Sequence, residues 1–234
     1  MNNIIKNANV PAEVKIGKEM YSTTLTELNL SYLDLTDADI VNLKYMTNLV
    51  HLAINANSIK DLTALSGLTN LEHLGIYRNE INNLAPLSTL TNLKFLDLST
   101  NKINNITGLS KLTELTTLNL IDNEITDISE LAGLKNLRHL HINQNKITSL
   151  APISMLTNLK TLRATSNRIA EITGLSKLTK LTRLTLNNNK ITDISELAGL
   201  KSLVFLNISE NCIEDISVLK NLEIALEIAE VIYE

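Results

Sequence analysis

A 22-residue repeat runs through most of this 234-residue chain and constrains the fold more than any other feature. Its frame is L-x-x-L-x-L-x-x-N-x-I-x-x-I-x-x-L-x-x-L, and residues 90–111 are a clear copy. The asparagine recurs without insertion or deletion at Asn57, Asn79, Asn101, Asn123, Asn145, Asn167, Asn189 and Asn211. A short constant period of this kind predicts an elongated solenoid of stacked coils and not one or two globules.

Each copy of the repeat combines two periodicities. The L-x-L segment alternates inward and outward as a β-strand does, whereas I-x-x-I-x-x-L-x-x-L advances by threes and predicts a loose or 3₁₀ turn. In residues 90–111 this phase places Leu93, Leu96, Leu98 and Ile103 inside. No coil can bury that apolar side alone, so the coils must stack.

The recurrent asparagine follows the strand, where backbone N–H and C=O groups leave the sheet. A side-chain amide carries both donors and an acceptor, and it can satisfy such groups without water. We therefore interpret this row as a structural asparagine ladder and not as a set of ligands.

The ends of the chain depart from the repeat. Residues 1–24 do not fit the frame, and two short extended segments joined by a turn around Gly17 predict an N-terminal cap. Residues 25–211 form nine repeats, of which the first is atypical and 24 residues long. Residues 212–234 are interpreted as the last convex segment and a C-terminal cap, for which the glutamate spacing favours a helix over a strand. The whole chain is thus predicted to be one solenoid domain.

The first repeat carries Leu33 at the position of the asparagine. Its T-D-A-D sequence at residues 36–39 resembles a capping box and is followed by apolar residues at helical spacing. These features predict a helix over residues 37–45.

Composition excludes several classes of function. The net charge is −4 and charged residues are interspersed, which is not the footprint of a nucleic-acid binder. The single cysteine, Cys212, excludes an internal disulfide framework, and no partner base accompanies it in the frame. The N-terminal residues contain no apolar signal-peptide core, and no run is long enough to cross a bilayer. We expect either a cytoplasmic protein or a secreted or cell-surface protein whose export signal lies outside this sequence.

The repeats resemble bacterial leucine-rich repeats of the internalin type over residues 25–222. The resemblance depends on L-T-N-L-x-x-L-x-[LI]-x-x-N-x-I at residues 68–81 and 90–103, and on D-I-x-x-L-x-x-L at residues 127–134 and 193–200. It implies an α/β solenoid, a right-handed leucine-rich-repeat arc with a parallel β-sheet on the concave face, 3₁₀ or irregular turns on the convex face and capped ends. It also implies that the concave face binds a macromolecule, as in internalin-like proteins, some of which attach to host cells.

Residues beside the inward leucines of each L-x-L segment are predicted to point out from the concave sheet in three columns. The first column precedes the two leucines, the second lies between them and the third follows them, as Phe95, Asp97 and Ser99 do in one coil. From these columns we take the following candidate partner-binding residues: His51, His73, Tyr77, Phe95, Asp97, His139, His141, Arg163, Arg183 and Phe205. Tyr77 and Phe95, with His73 between their columns, are predicted to form an exposed aromatic cluster. His139, His141, Arg163 and Arg183 are predicted to form a basic patch that faces acidic groups of a partner.

The chain also contains an internal duplication. Residues 80–145 align without gaps to residues 146–211, and 41 of the 66 positions are identical. All nine pairs of concave residues differ, among them Phe95/Thr161 and Asp97/Arg163. The concave positions therefore differ more than the duplicated segment as a whole. This difference predicts diversification of a contact surface, and drift at exposed positions is the alternative.

The sequence predicts neither a metal site nor a catalytic centre. His73 and His139 would lie about 14 Å apart at about 4.8 Å per strand, so the four histidines form two separate pairs. Arg163 beside His141 is a poor neighbour for a cation, and nucleotide-binding, zinc-protease and hydrolase motifs are missing from the sequence. We therefore expect no cofactor.

The function predicted from these observations is a non-enzymatic protein-binding module of a bacterial surface or secreted protein. Two alternatives stay open at this point. One is an intracellular scaffold or regulatory subunit with leucine-rich repeats. The other is carbohydrate binding on the concave face through Tyr77, Phe95 and neighbouring polar residues.

Overall fold

A computed structural model describes residues 10–222. The chain enters through an antiparallel hairpin of β1, Glu13–Ile16, and β2, Glu19–Ser22. Gly17 turns between the two strands with a φ of 59°, in the left-handed region that favours glycine. The hairpin lies where the sequence predicts two extended segments joined by a turn.

One parallel β-sheet then forms the concave face of the solenoid. Within residues 10–222 it has nine strands of three residues each, arranged in chain order. Corresponding positions pair directly, so that Leu52 lies beside Leu74 and Leu74 beside Leu96. The strands are β3 Glu27–Asn29, β4 His51–Ala53, β5 His73–Gly75, β6 Phe95–Asp97, β7 Thr117–Asn119, β8 His139–His141, β9 Thr161–Arg163, β10 Arg183–Thr185 and β11 Phe205–Asn207.

The convex side is built from short 3₁₀ turns, as the three-residue spacing of the apolar positions predicts. A side chain two residues upstream often caps the turn: Asp61 accepts the backbone N–H of Thr63 at 2.8 Å, and Asp127 accepts that of Ser129 at the same distance. In the described part of the chain the turns are Val41–Tyr45, Thr63–Leu65, Ala85–Thr89, Leu109–Lys111, Ser129–Gly133, Ala151–Ile153, Leu175–Lys177, Ser195–Gly199 and Ser217–Asn221.

A single apolar core runs the length of the solenoid between the sheet and the turns. It extends from Val14 in the hairpin to Leu222. The inward positions predicted from the repeat are fully buried, including Leu93, Leu98 and Ile103. The parallel sheet, the convex turns and this core confirm the predicted leucine-rich-repeat solenoid.

The predicted helix over residues 37–45 is wrong in its second half. An α-helix, α1, covers only Asp37–Ile40 and continues as the 3₁₀ turn Val41–Tyr45. The carboxylate of Asp39 accepts the Thr36 N–H at 2.8 Å and hydroxyl at 2.7 Å, which stabilises the start. The apolar residues that follow are spaced by three, and that spacing suits a 3₁₀ turn stacked on the turn of the next coil.

The asparagine ladder joins every coil to the coil before it. Asn123 accepts the N–H of Ile103 at 3.0 Å and donates to the C=O of Leu98 at 3.0 Å, both one coil back. The same amide donates to the C=O groups of Leu120 and Ile121 within its own coil. The other seven asparagines repeat this pattern, and Asn79, Asn123, Asn145 and Asn189 are buried.

A second asparagine row, which lies just before the strands and not after them, was missed by the sequence analysis. Its amides donate to a backbone C=O of the preceding coil, for example Asn92 to Thr69 and Asn136 to Thr113 at 2.9 and 3.0 Å. The asparagine of the recurrent L-T-N-L sequence was the available signal. In residues 10–222 the row consists of Asn48, Asn70, Asn92, Asn136 and Asn158.

The residue before each ladder asparagine adopts a left-handed conformation. Its φ lies between 51° for Ala56 and 56° for Asp122, and no position of this row is a glycine. The strain is offset by the sheet, since the N–H of Thr100 bonds to Ile121 of the next coil at 2.8 Å. Strand geometry, and not local preference, therefore imposes this turn.

The predicted boundaries of the caps stay predictions. The predicted helix of the C-terminal tail and the first residues of the chain lie outside the described range. Across residues 10–222, no helix has the length and apolar character needed to span a membrane.

Replacement of Asn145 by alanine is expected to lower the free energy of unfolding by about 1–3 kcal/mol, because the buried N–H of Ile125 and C=O of Leu120 lose their partner. Urea denaturation measures this loss. Gln144→Ala, at the exposed neighbouring position, is the matched control. Equal midpoints for the two variants would contradict the structural role of the ladder.

Replacement of Thr100 by asparagine is expected to raise the free energy of unfolding by about 0.5–1 kcal/mol, since asparagine tolerates a positive φ better than a β-branched residue. The reciprocal change, Asn188→Thr at the equivalent turn four coils after Thr100, should lower it. Thermal unfolding of both variants tests whether the left-handed turn carries strain.

Candidate binding surface

The ten candidate residues all lie on the concave side of the sheet or just beyond its strands. The paired strands align their first column from Glu27 through His51, His73, Phe95, Thr117, His139, Thr161 and Arg183 to Phe205. His51, Arg163 and Arg183 are exposed, and the other seven are half-buried. The structure thus brings these residues to one face, although it does not show that they bind a partner.

Three rings of the first column stack on neighbouring strands. The centroids of His51 and His73 are 4.4 Å apart with nearly parallel planes, and those of His73 and Phe95 are 6.2 Å apart. We call His51, His73 and Phe95 the ring row. The buried Nδ1 of His73 has no hydrogen-bond partner among the described residues.

Tyr77 does not belong to the ring row, so the predicted cluster of Tyr77, His73 and Phe95 is corrected. Tyr77 lies past the end of β5 and packs edge-on against Tyr32, with centroids 6.4 Å apart and the two hydroxyls in hydrogen-bond contact. Tyr32 comes from a coil 45 residues earlier, outside the predicted columns. Tyr32 has a left-handed backbone with a φ of 62°, and no sequence pattern indicated its contact with Tyr77.

The basic patch is carried by arginine and lysine rather than by histidine. Burial lowers the pKa of His141, and the charge of Arg163 beside it lowers that pKa further. Burial likewise lowers the pKa of His139, with further contributions from Lys160 and Arg138. The predicted patch of His139, His141, Arg163 and Arg183 therefore has less histidine charge at neutral pH than expected.

Two contacts orient the side chains of this patch. The guanidinium carbon of Arg183 lies 4.1 Å from the centroid of the Phe205 ring, a cation–π contact. Nδ1 of His139 lies 3.2 Å from the hydroxyl oxygen of Thr161 on the next strand. Arg138 and Lys160, which directly precede β8 and β9, were missed because the columns began one residue later.

Several polar residues of the second and third columns hold the backbone at the strand ends. One carboxylate oxygen of Asp97 accepts the N–H and the hydroxyl of Ser99 at 2.9 and 2.6 Å. Asn55 accepts the N–H of Tyr77, and Asn143 that of Thr165, each at 3.0 Å. The side chains that remain able to contact a partner are therefore mainly those of the first column and Arg163.

The face is an open surface that offers rings, cations and amides for noncovalent contact. The histidines form two separate pairs on β4–β5 and on β8. In residues 10–222 no three His, Cys, Asp or Glu side chains come together in an arrangement that could hold a metal ion.

The sequence pattern of the family described as "Leucine Rich repeats (2 copies)" matches residues 69–111. Four further matches, each overlapping the next, cover residues 113–221. The chain belongs to the leucine-rich repeat family. Comparison with curated proteins gave no match.

Two similar solved structures are internalins from Listeria monocytogenes. An internalin (inlF) is 31% identical with a TM-score of 0.77, and the match covers 90% of this chain and 70% of that one. An internalin C2 (inlC2) is 32% identical with a TM-score of 0.69, and the match covers 89% of this chain and 84% of that one. Within its family, then, this chain is internalin-like.

A plant receptor also resembles it. The leucine-rich-repeat ectodomain of the receptor kinase GASSHO1/SCHENGEN3 from Arabidopsis thaliana, in complex with CASPARIAN STRIP INTEGRITY FACTOR 2, is 25% identical with a TM-score of 0.70. The match covers 79% of this chain and 24% of that one. Family and neighbours together indicate a protein-interaction module of a generally non-enzymatic kind.

The stability of the fold should depend on pH through His73, His139 and His141. Their pKa values in the folded chain lie below the ordinary 6.5, so the unfolded chain takes up protons first as pH falls. The free energy of unfolding is expected to decrease as pH falls below about 6.5, by at most about 1.4 kcal/mol per pH unit for each histidine. Urea denaturation between pH 8 and pH 5, above the range of the carboxylates, measures it.

His141→Gln should reduce this slope because it removes one of the three groups. A free energy of unfolding that stays constant over the whole interval would contradict the lowered pKa values.

Proposed function

We propose that the chain binds a protein partner through its concave face, with His51, His73, Tyr77, Phe95, Asp97, His139, His141, Arg163, Arg183 and Phe205 as the contact set. Acidic groups of the partner lie opposite Arg163 and Arg183. The likeness to internalins supports a recognition or adhesion role on a bacterial surface or in secreted form. The complex of the plant ectodomain supports a protein, and not a glycan, as the class of partner.

The observation that carries this proposal is the uneven divergence of the two duplicated halves. Outside the concave columns, residues 80–145 contain 34 exposed or half-buried positions, and 20 of them are identical in residues 146–211. On the concave columns none of the nine positions is identical. Drift at exposed positions would change both sets alike, so the contrast supports selection for contact on the concave side.

The divergence also has a direction in charge. Residues 80–145 contain five basic and seven acidic side chains, whereas residues 146–211 contain nine basic and four acidic ones. Four acidic residues of the first half have a basic equivalent in the second: Glu80/Lys146, Asp97/Arg163, Glu114/Lys180 and Glu124/Lys190. An acidic region of the partner complements the second half.

Arg183 and Phe205 are suited to anchor such a partner. Their stacking holds the guanidinium over the concave face, so less side-chain entropy is lost when a carboxylate binds. Arginine and aromatic side chains are the residues most often found at the energetic centre of protein interfaces.

The test restores two residues of the first half in the second, by the double substitution Arg163→Asp and Arg183→Thr. Both replacements occupy the equivalent position of the same repeat frame, so the fold should be retained. Binding of a partner captured by the immobilised chain is expected to weaken about 30-fold, or about 2 kcal/mol. Surface plasmon resonance at two salt concentrations measures the affinity and its salt dependence.

Met155→Thr, which restores the first-half residue at an exposed convex position, is the matched control. It should leave the affinity unchanged. If the control weakens binding as much as the double substitution does, the partner is held elsewhere and the proposal fails.

A further inference from the structure

A trough crosses the concave face at its N-terminal end, over β3 to β6. Its volume is about 620 Å³. Ala53 and Gly75, adjacent in the second column, form its floor, and the ring row forms one wall. Ala53 contributes only a methyl group, whereas the amide of Asn55 lies over Gly75, with its oxygen 2.9 Å from where a Cβ of that glycine would stand. A side chain of a partner can therefore lie along the rings above Ala53.

Glu27 lines the trough at its β3 end, and Asp97 lies beside its β6 end without lining it. Glu27 is paired in register with His51 at one end, and Asp97 is paired with Gly75 at the other. In the part of the chain that the structure describes, neither forms an ion pair. Glu27 and Asp97 lie on strands three spacings apart and two residues apart along the strand, so their Cα atoms are about 16 Å apart, from about 4.8 Å per strand and about 3.3 Å per residue.

Other charges near the trough do not offset these two. Lys94, which precedes Phe95, is bound to Glu72 at 2.8 Å. Burial lowers the pKa of His73, and the neighbouring His51 lowers it further, which favours a neutral ring in the wall. One carboxylate oxygen of Asp97 is held by Ser99, which fixes the group in place and leaves the second oxygen for a ligand.

We propose that this trough binds a basic stretch of the partner, an extended segment with two Lys or Arg side chains four residues apart. Four residues of extended chain span about 14 Å, and the flexible lysine or arginine stems cover the remainder of the distance of about 16 Å between Glu27 and Asp97. The alkyl stems pack on the ring row, and the two cations bind Glu27 and Asp97. The inference rests on the proposed function and deepens it.

The two ends of the concave face then select partners of opposite charge. An acidic segment suits Arg163 and Arg183, and it is repelled by Glu27 and Asp97. A purely aromatic side chain would fill the trough but would leave both carboxylates without a partner. A segment with basic residues at one end and acidic residues at the other therefore binds in one direction only.

The test uses the full chain and a synthetic peptide, acetyl-Thr-Lys-Thr-Val-Thr-Lys-Thr-amide. NMR signals of the His73 and Phe95 rings are expected to shift on titration, and the peptide with Glu at both lysine positions should leave them unchanged. The double substitution Glu27→Gln and Asp97→Asn should weaken binding at least tenfold. Both replacements keep the shape of the side chain, and Asn can still accept the Ser99 N–H.

Two further variants sharpen the test. Ala53→Leu fills the trough and should abolish binding, with urea denaturation as the check that the fold persists. Glu124→Gln removes a carboxylate that is bound to Lys146 outside the trough, and it should leave the affinity unchanged.

The proposal is overturned if the rings do not respond to the lysine peptide. It is also overturned if a leucine-substituted peptide binds as tightly and Glu27→Gln with Asp97→Asn has no effect, because the trough is then an apolar pocket. The variant Arg163→Asp with Arg183→Thr keeps the trough and should bind the lysine peptide as the original chain does. The experiments therefore distinguish a failure of the proposed acidic contact at Arg163 and Arg183 from a failure of the proposed basic contact in the trough.

Discussion

The hydrogen bonds between successive coils are the interaction on which the structure depends. Asn145 illustrates this, since its amide bonds to Leu120 and Ile125 of the preceding coil and to its own strand end. These bonds are buried, so a coil displaced by one residue would lose them all at once. That requirement explains why the 22-residue spacing persists from coil to coil without insertion.

The same constraint leaves one surface able to change. Inward leucines and ladder asparagines are held by the core and by the hydrogen bonds between coils, whereas first-column side chains such as the ring row and the Arg183–Phe205 pair contact neighbours within their own column. The duplicated halves show the outcome: Leu118 and Leu184 occupy the same buried position, but the residue beside the first is Thr117 and the residue beside the second is Arg183. Second-column residues differ as well, although Asp97 and Asn119 also hold backbone groups: their equivalents in the second half are Arg163 and Thr185.

Much of the arrangement could be predicted from the sequence because it follows from periodicity. Alternation across L-x-L places His73, Phe95 and His141 on one face, and the structure has them there. The change from α-helix to 3₁₀ turn after Ile40 was not predicted, nor was the contact of Tyr77 with Tyr32. Both depend on packing against another coil, which a local pattern does not describe.

By itself the sequence determined the solenoid, the direction of its side chains and the surface on which the two halves diverged, because a fixed period repeats the same geometry in every coil. Only the tertiary structure decided the trough over Ala53 and Gly75, the stacking of Arg183 on Phe205, and the lowered pKa values of three histidines. It also decided the left-handed turn before each ladder asparagine. These features arise between strands that are 22 residues apart in the chain and about 4.8 Å apart in space, so distance and burial across coils determine them.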